Sequence, residues 1–318
     1  MQTFHLTFPL GDKEPASRPQ VLAIGDFDGV HRGHQEVITR AVQSGHELGL
    51  PAAIMTFHPH PRQVMGIDKY ARLLTPHTRK LELMRQQGVD AAYLVDFNEK
   101  FMRVSPEDFV ERMLVPLQVN TVNVGFDFTF GYKGAGTPDR LCELAKGRFA
   151  VEVVRPFHLD GEKVSSSRIR DDLQHGRVQD ATVLLGRPYR LQGTVVHGEA
   201  RGRTIGFPTA NIRLEEPYLV PANGVYAIRA YVGGRSYAGV MNIGVKPTFH
   251  ESLPAASLEA HLFEFNASIY GELIAVELLA FIRPERKFAS VQELIAQIAA
   301  DAEQAKRIAA GNSSQDMA

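Results

Sequence analysis

Two histidines, His31 and His34, flank a glycine in the stretch Gly25-Asp-Phe-Asp-Gly-Val-His-Arg-Gly-His34, directly after an apolar run and at the mouth of a predicted helix. A helix N-terminus presents unpaired N–H groups and the positive end of its dipole, which suits a phosphate. Gly33 lets the backbone come close to such a ligand, and two imidazoles can donate to phosphoryl oxygens as charge builds on them. That is the chemistry of transfer at phosphorus without a covalent enzyme intermediate. A polar turn with two solvent-facing histidines fits the same residues, because short motifs also arise by chance. Far downstream, Lys163-Val-Ser-Ser-Ser-Arg-Ile-Arg170 opens another helix. The hydroxyls of Ser165, Ser166 and Ser167, the helix N-terminus and Arg170 suit a second anion site, the planar guanidinium matching two pyrophosphate oxygens. An ordinary serine N-cap with solvated arginines is the alternative.

A second set of residues lies in Gly202-Arg-Thr-Ile-Gly206-Phe-Pro-Thr209-Ala-Asn211. Thr209 and Asn211 are two apart on a predicted strand and so share a face. A hydroxyl and an amide oxygen are hard ligands that suit a Mg²⁺ ion bridging nucleotide phosphates. Gly198, Gly202 and Gly206 suit a loop lying close over those phosphates, or equally the punctuation of a barrel corner. Glu259, Glu264 and Glu277 are equal candidates, on spacing, for a proton acceptor, and each reads more readily as a surface charge. No GxxxxGK followed by Ser or Thr occurs, and Gly131 to Gly136 does not match the dinucleotide pattern. His58 and His60, taken with His31 and His34, lack the ordered spacing of zinc ligands.

These residues need elements to hold them. Val21–Phe27, Ala52–Phe57, Ala91–Phe97, Thr121–Phe128 and Phe149–Phe157 read as five strands, and Gly33–Leu48 as a helix with Val37, Ile38, Ala41 and Val42 on one face. Ser105-Pro106 and Thr137-Pro138 read as helix starts, with Gly147 as a stop. Apolar strands separated by amphipathic helices imply a doubly wound parallel sheet, whose ligands bind at the carboxyl ends of the strands. After residue 186 the pattern changes. Tyr189–His197, Thr204–Ile212, Val225–Val232, Ser236–Ile243, Leu258–Phe265 and Leu273–Ile282 read as six strands without helices between them, with Gly233-Gly234 as a two-residue hairpin. A small antiparallel barrel follows. Ser290-Val-Gln-Glu293 starts a final helix, and Gly311–Ala318 reads as a frayed polar tail. The boundary falls at Gly186 to Pro188.

The 318 residues suit two domains. Lys and Arg number 35 against 36 Asp and Glu, a net charge of −1, so no overall field draws the chain to nucleic acid or an anionic membrane. The single cysteine, Cys142, excludes a disulfide framework. Met1 to Pro15 has no signal-peptide pattern, and no apolar run reaches the ~18 residues of a membrane helix. The expectation is a soluble cytoplasmic protein. Its oligomeric state is left open, a homo-oligomer included.

HxGH after the first strand, with Ser-Ser-Ser-x-x-Arg downstream, resembles the nucleotidylyltransferase superfamily. Thr56-Phe-His-Pro-His-Pro61, Leu73-Leu-Thr75 and Gly125-Phe-Asp-Phe-Thr-Phe-Gly131 narrow the resemblance to the bacterial bifunctional riboflavin kinase/FAD synthetase family. Gly206–Asn211, Asn242–Phe249 and Leu258–Phe263 resemble the kinase half, so the likeness runs from residue 20 to 305. It implies a Rossmann-like nucleotidylyltransferase domain over residues 1–186 and a six-stranded Greek-key barrel with a terminal helix over 187–318. The implied activity is phosphorylation of riboflavin by ATP to FMN, then AMP transfer from ATP to FMN, giving FAD and pyrophosphate. Catalytic roles fall by resemblance to His31, His34, Arg170 and Glu259. Gly25, Phe27, Gly33, Ser166, Ser167, Gly202 and Gly206 would contact ATP, Asp127 and Phe207 flavin, and Thr209 and Asn211 the Mg²⁺. Ser167 and His58 stand where the family often has threonine and aspartate. Three rivals are a monofunctional adenylyltransferase, a flavin-sensing regulator and an enzyme using CTP; only small-molecule partners are expected, without nucleic acid or membrane.

Overall fold

The computed structural model describes residues 1–10, 18–198, 202, 205–246 and 255–313. Two compact units divide between Ser166 and Ser167. The change of sequence pattern at Gly186 to Pro188 comes later, so the Val178–Leu185 helix and all but the first residue of the Ser166–Gln174 helix belong to the second unit.

The first unit is a sheet of six strands: β1 (Gln2–Leu6), β2 (Gln20–Ile24), β3 (Ala52–His58), β4 (Ala91–Asp96), β5 (Val119–Gly125) and β6 (Ala150–Val154). Their order is β1-β4-β3-β2-β5-β6 and every pairing is parallel. β2 is buried at all its residues, as a strand covered on both faces must be. Val21 and Ala23 pack with Val37, Ile38 and Ala41 of the Arg32–Leu48 helix, whereas Leu22 and Ile24 join a second cluster with Met113 and Leu141. Five strands match the sequence expectation and β1 is an addition. Only Leu6 of β1 is buried, so this edge strand carries no apolar run to betray it. The chain lays β3 and β4 to one side of β2, then crosses back to place β5 on the other side. That reversal opens a crevice at the carboxyl ends of β2 and β5, the usual ligand position in such sheets. A hairpin of β7 (His158–Leu159) and β8 (Glu162–Lys163) follows β6.

Local signals hold with small shifts. The Arg32–Leu48 helix ends at Gly49 with φ 65°, a left-handed position that suits glycine. Thr137 caps the Pro138–Ala145 helix as expected, but the left-handed C-cap is Lys146, one residue before the expected Gly147.

The second unit is a closed antiparallel barrel of β9 (Tyr189–Val196), β10 (Ala210–Leu214), β11 (Gly224–Val232), β12 (Arg235–Lys246), β13 (Ala255–Leu262) and β14 (Leu273–Arg283). β9 closes it by pairing with both β14 and β10. Along β9, buried residues alternate with half-buried ones, which sets one face inward. Gly233 and Gly234 both take positive φ in the β11–β12 hairpin, the conformation of a primed turn. The Val291–Ser313 helix packs Ala305 and Ala309 against Val225, Ala227 and Val240. Its Ser290 cap accepts the Glu293 N–H at 3.2 Å. The helix continues through Gly311, where a frayed tail was expected; residues 314–318 lie outside those described.

One strand expectation is corrected. The strand expected from Thr204 starts at Ala210, and residues 203 and 204 lie outside those described. Ile205 and Phe207 both donate their N–H to the Gly202 carbonyl in a turn, at 3.2 and 2.8 Å. Gly206 there takes φ 87° and Pro208 has no N–H to give a ladder, so pairing cannot begin earlier.

Candidate active sites

The loop after β2 places His31 and His34 at the crevice. His31 is the N-cap of its helix: its Nδ1 accepts the His34 N–H at 3.2 Å. The two rings stack with centroids 3.6 Å apart, and Phe27 meets His34 edge-on at 5.5 Å. An Nδ1 that accepts leaves the ring proton of neutral His31 on Nε2, which makes Nε2 the donor. Gly33 has a further reason to be glycine, since a Cβ there would sit 3.3 Å from the His31 ring. The structure brings these two side chains together.

What holds this loop was not legible in the motif. Asp28 is 2% exposed, and its Oδ1 accepts the N–H groups of Leu74 and Thr75 at 2.9 and 3.1 Å. Thr75 Oγ1 in return accepts the Gly29 N–H at 2.5 Å. Ser166 donates its hydroxyl to the Asp28 carbonyl at 2.8 Å. The Leu73-Leu-Thr75 segment is therefore a clamp on the loop. Below it, the Lys80 ammonium donates to the Asp26 carbonyl at 2.8 Å. His60 is buried, stacks on Tyr70 and accepts the Arg62 N–H on Nδ1, while Nε2 stands 3.9 Å from Asp26 Oδ2. His60 thus supports the loop and caps a short helix. Exposed His58 meets His77 instead, with ring centroids 5.1 Å apart. Burial and the neighbouring His58 push the His77 imidazole below the usual histidine value.

Asp127 follows β5 on the other side of the crevice. Its carboxylate pairs with Lys163 of β8 at 2.5 Å, and the same ammonium lies 4.3 Å from the centroid of the exposed Phe126 ring. Near the same strand ends, Met65, Phe97, Phe101, Met102, Val104 and Phe109 line a small apolar pocket of about 50 Å³. The Gly131–Gly134 turn forms its rim. Ser167 is exposed and Arg170 is buried on the Ser166–Gln174 helix, one helical turn beyond Ser166.

In the barrel, strand register assembles the second set. Asn211 of β10 is directly opposite Glu259 of β13, and Glu259 is directly opposite Asn242 of β12. All three stand on the face away from buried Ile212, Leu258, Ala260, Met241 and Ile243. Periodicity left the orientation of Glu259 open; burial decides it. Ser257 donates to Glu259 Oε1 at 3.0 Å, and Asn242 donates to Glu285 at 3.0 Å. The rival carboxylates stand elsewhere: Glu277 is held by Tyr231 at 3.0 Å and faces Arg229, and Glu264 is an exposed turn residue with φ 55°. Thr209 immediately precedes β10, and Phe207 meets His261 edge-on at 5.5 Å on the Glu259 face.

Glycines keep this surface open. A Cβ on Gly198 would overlap the Asn211 amide, and one on Gly202 would overlap the Phe207 carbonyl oxygen.

His31 and His34 thus stack at the sheet's switch point, and Glu259 stands between Asn211 and Asn242 on the barrel. Residues 13–168 match the family model for FAD synthetase, and residues 185–309 match that for riboflavin kinase. The chain is 46% identical over 309 residues to the bifunctional riboflavin kinase/FMN adenylyltransferase of Bacillus subtilis (strain 168), covering 96% of this chain and 98% of that one. The Pseudomonas fluorescens protein of the same name is 38% identical over 311 residues, covering 95% and 96%. A crystal structure named as a macrolide-efflux protein from Streptococcus pneumoniae superposes with a TM-score of 0.87 at 32% identity, covering 95% of this chain and 98% of that one. No helix among the described residues here is long and apolar enough to cross a membrane. The chain belongs to the bifunctional riboflavin kinase/FMN adenylyltransferase family. Its two activities are those of the family, with the FAD synthetase region preceding the riboflavin kinase region.

Proposed function

We propose that residues 187–318 carry the phosphorylation of riboflavin and residues 1–186 the adenylylation of FMN, each at the side chains assembled above. The observation that supports this most is the pairing of Asn211, Glu259 and Asn242 across three adjacent strands, which singles out one carboxylate among three. In the barrel, Glu259 accepts the proton of the ribityl hydroxyl as that oxygen attacks the γ-phosphorus of ATP and ADP leaves. Thr209 and Asn211 hold Mg²⁺ there. The fit rests on a hydroxyl and an amide oxygen beside a carboxylate, with Asn211 under a glycine that a Cβ would fill. The ion supplies charge neutralisation for the polyphosphate. Gly202 and Gly206 lie along ATP, and Phe207 offers a ring to flavin.

In the sheet unit, a phosphate oxygen of FMN attacks the α-phosphorus and pyrophosphate departs. His31 Nε2 and His34 donate to the phosphoryl oxygens, with Gly25, Phe27 and Gly33 shaping the loop around them. Ser166 contributes a hydroxyl donor to the ATP phosphates. Asp127, which follows β5 at the carboxyl ends of the strands, contacts the flavin. A Mg²⁺-dependent cytoplasmic enzyme with small-molecule partners alone, using ATP in preference to CTP, completes the proposal. Its test is chromatography of flavins after incubating pure protein with riboflavin, Mg²⁺ and either ATP or CTP. FMN followed by FAD with ATP is the expected course; a cytidylylated flavin formed with CTP in place of FAD, or FMN accumulating alone with ATP, would overturn the assignment of the sheet unit.

A further inference from the structure

Lys80 lies on the His77–Gln86 helix that follows the Leu73–Thr75 clamp, and it is only 5% exposed. Its Nζ donates to the Asp26 carbonyl at 2.8 Å and stands 3.4 Å from Thr56 Oγ1, which itself donates to the Asp26 carbonyl at 3.1 Å. One helix and the segment before it thus hold the loop at Asp26, Asp28 and Gly29. A neutral donor could make the same hydrogen bonds without the cost of burying an ammonium. The charge itself must have a use. Asp26 and Asp28 stand in the loop that is to receive a polyphosphate, and the buried Lys80 ammonium is attracted to both carboxylates. We propose that Lys80 is a positioning residue for adenylyl transfer, fixing the Asp26 carbonyl and cancelling the two loop carboxylates so that His31 and His34 meet a polyanion in an unrepelled site.

This rests on the assignment of adenylyl transfer to the Gly25–His34 loop. The test is made on the full chain, where the melting transition reports on folding and FMN formation in the other unit serves as the internal activity reference. Lys80→Met is expected to lower kcat for FAD formation about a hundredfold and to raise KM for ATP, while KM for FMN and the rate of FMN formation stay within about twofold. A purely structural role would lower the melting temperature without shifting KM for ATP apart from KM for FMN. Where Lys80→Met fails to fold, Lys80→Gln decides: it keeps a donor but no charge, and wild-type FAD formation in it would overturn the inference. A second readout is pH. Burial lowers the Lys80 value from that of a free lysine, and its titratable neighbours are Asp26, Asp28 and His77. FAD formation in the wild type should fall at alkaline pH before the fold is lost, and the residual activity of Lys80→Met should lack that limb. His31→Ala is run beside it. Retained FAD formation in His31→Ala overturns the site assignment itself, whereas its loss there with retention in Lys80→Met overturns this inference alone.

Discussion

His31→Ala should abolish FAD formation while leaving FMN formation within about twofold of wild type. The expected loss is on the order of a thousandfold, the upper range for removing one preorganised donor from a site of developing charge. Two functions vanish with this side chain, and they can be separated. Nδ1 caps the Arg32–Leu48 helix by accepting the His34 N–H, and loss of a cap costs about 1 kcal/mol. Nε2 is the donor turned to substrate in the proposed mechanism. His31→Asn restores a good cap without restoring that donor. If the melting temperature recovers in His31→Asn while FAD formation stays absent, the chemistry belongs to Nε2. Recovery of FAD formation in the same variant would reduce His31 to a helix cap. Loss of both activities in a folded His31→Ala protein would sink the two-site model. The measurement is the initial rate of each step, with riboflavin or FMN supplied separately.

Legibility followed the reach of each interaction. Strands covered on both faces, such as β2, announce themselves as unbroken apolar runs, and Gly233-Gly234 announces its turn through backbone conformation alone. β1 stayed hidden because an edge strand with one buried residue needs no such run. The histidine pair was legible because a loop and the helix it starts are consecutive in sequence. Its supports were not. Asp28 meets Thr75 across 47 residues and Asp26 meets Lys80 across 54, contacts that no periodicity encodes. The barrel shows the same limit. Sequence placed Thr209 and Asn211 together by spacing, but spacing left three glutamates equivalent and only the family resemblance picked out Glu259, which register puts opposite both Asn211 and Asn242. Asn242 lay inside a recognised motif without a role, because its partner strand is set by barrel closure.

Glu259→Gln should remove FMN formation from riboflavin by a factor of about 10²–10⁴, the range of a positioned general base. FAD should still form at the wild-type rate from added FMN. The amide keeps the size of the carboxylate and can still accept the Ser257 hydroxyl, which bonds Oε1 at 3.0 Å, so the fold has little reason to change. What it loses is the capacity to take a proton from the attacking hydroxyl. Glu277→Gln is the informative contrast. That carboxylate is engaged by Tyr231 and faces Arg229, so its replacement should act on stability, leaving an arginine without its counter-charge. A lowered melting temperature with near-normal FMN formation is expected there. Should Glu277→Gln instead stop FMN formation and Glu259→Gln spare it, strand register would have singled out the wrong carboxylate, and with it the proposed Mg²⁺ position at Thr209 and Asn211. Because Asn211 is tied to Glu259 by direct pairing, the two assignments stand or fall together.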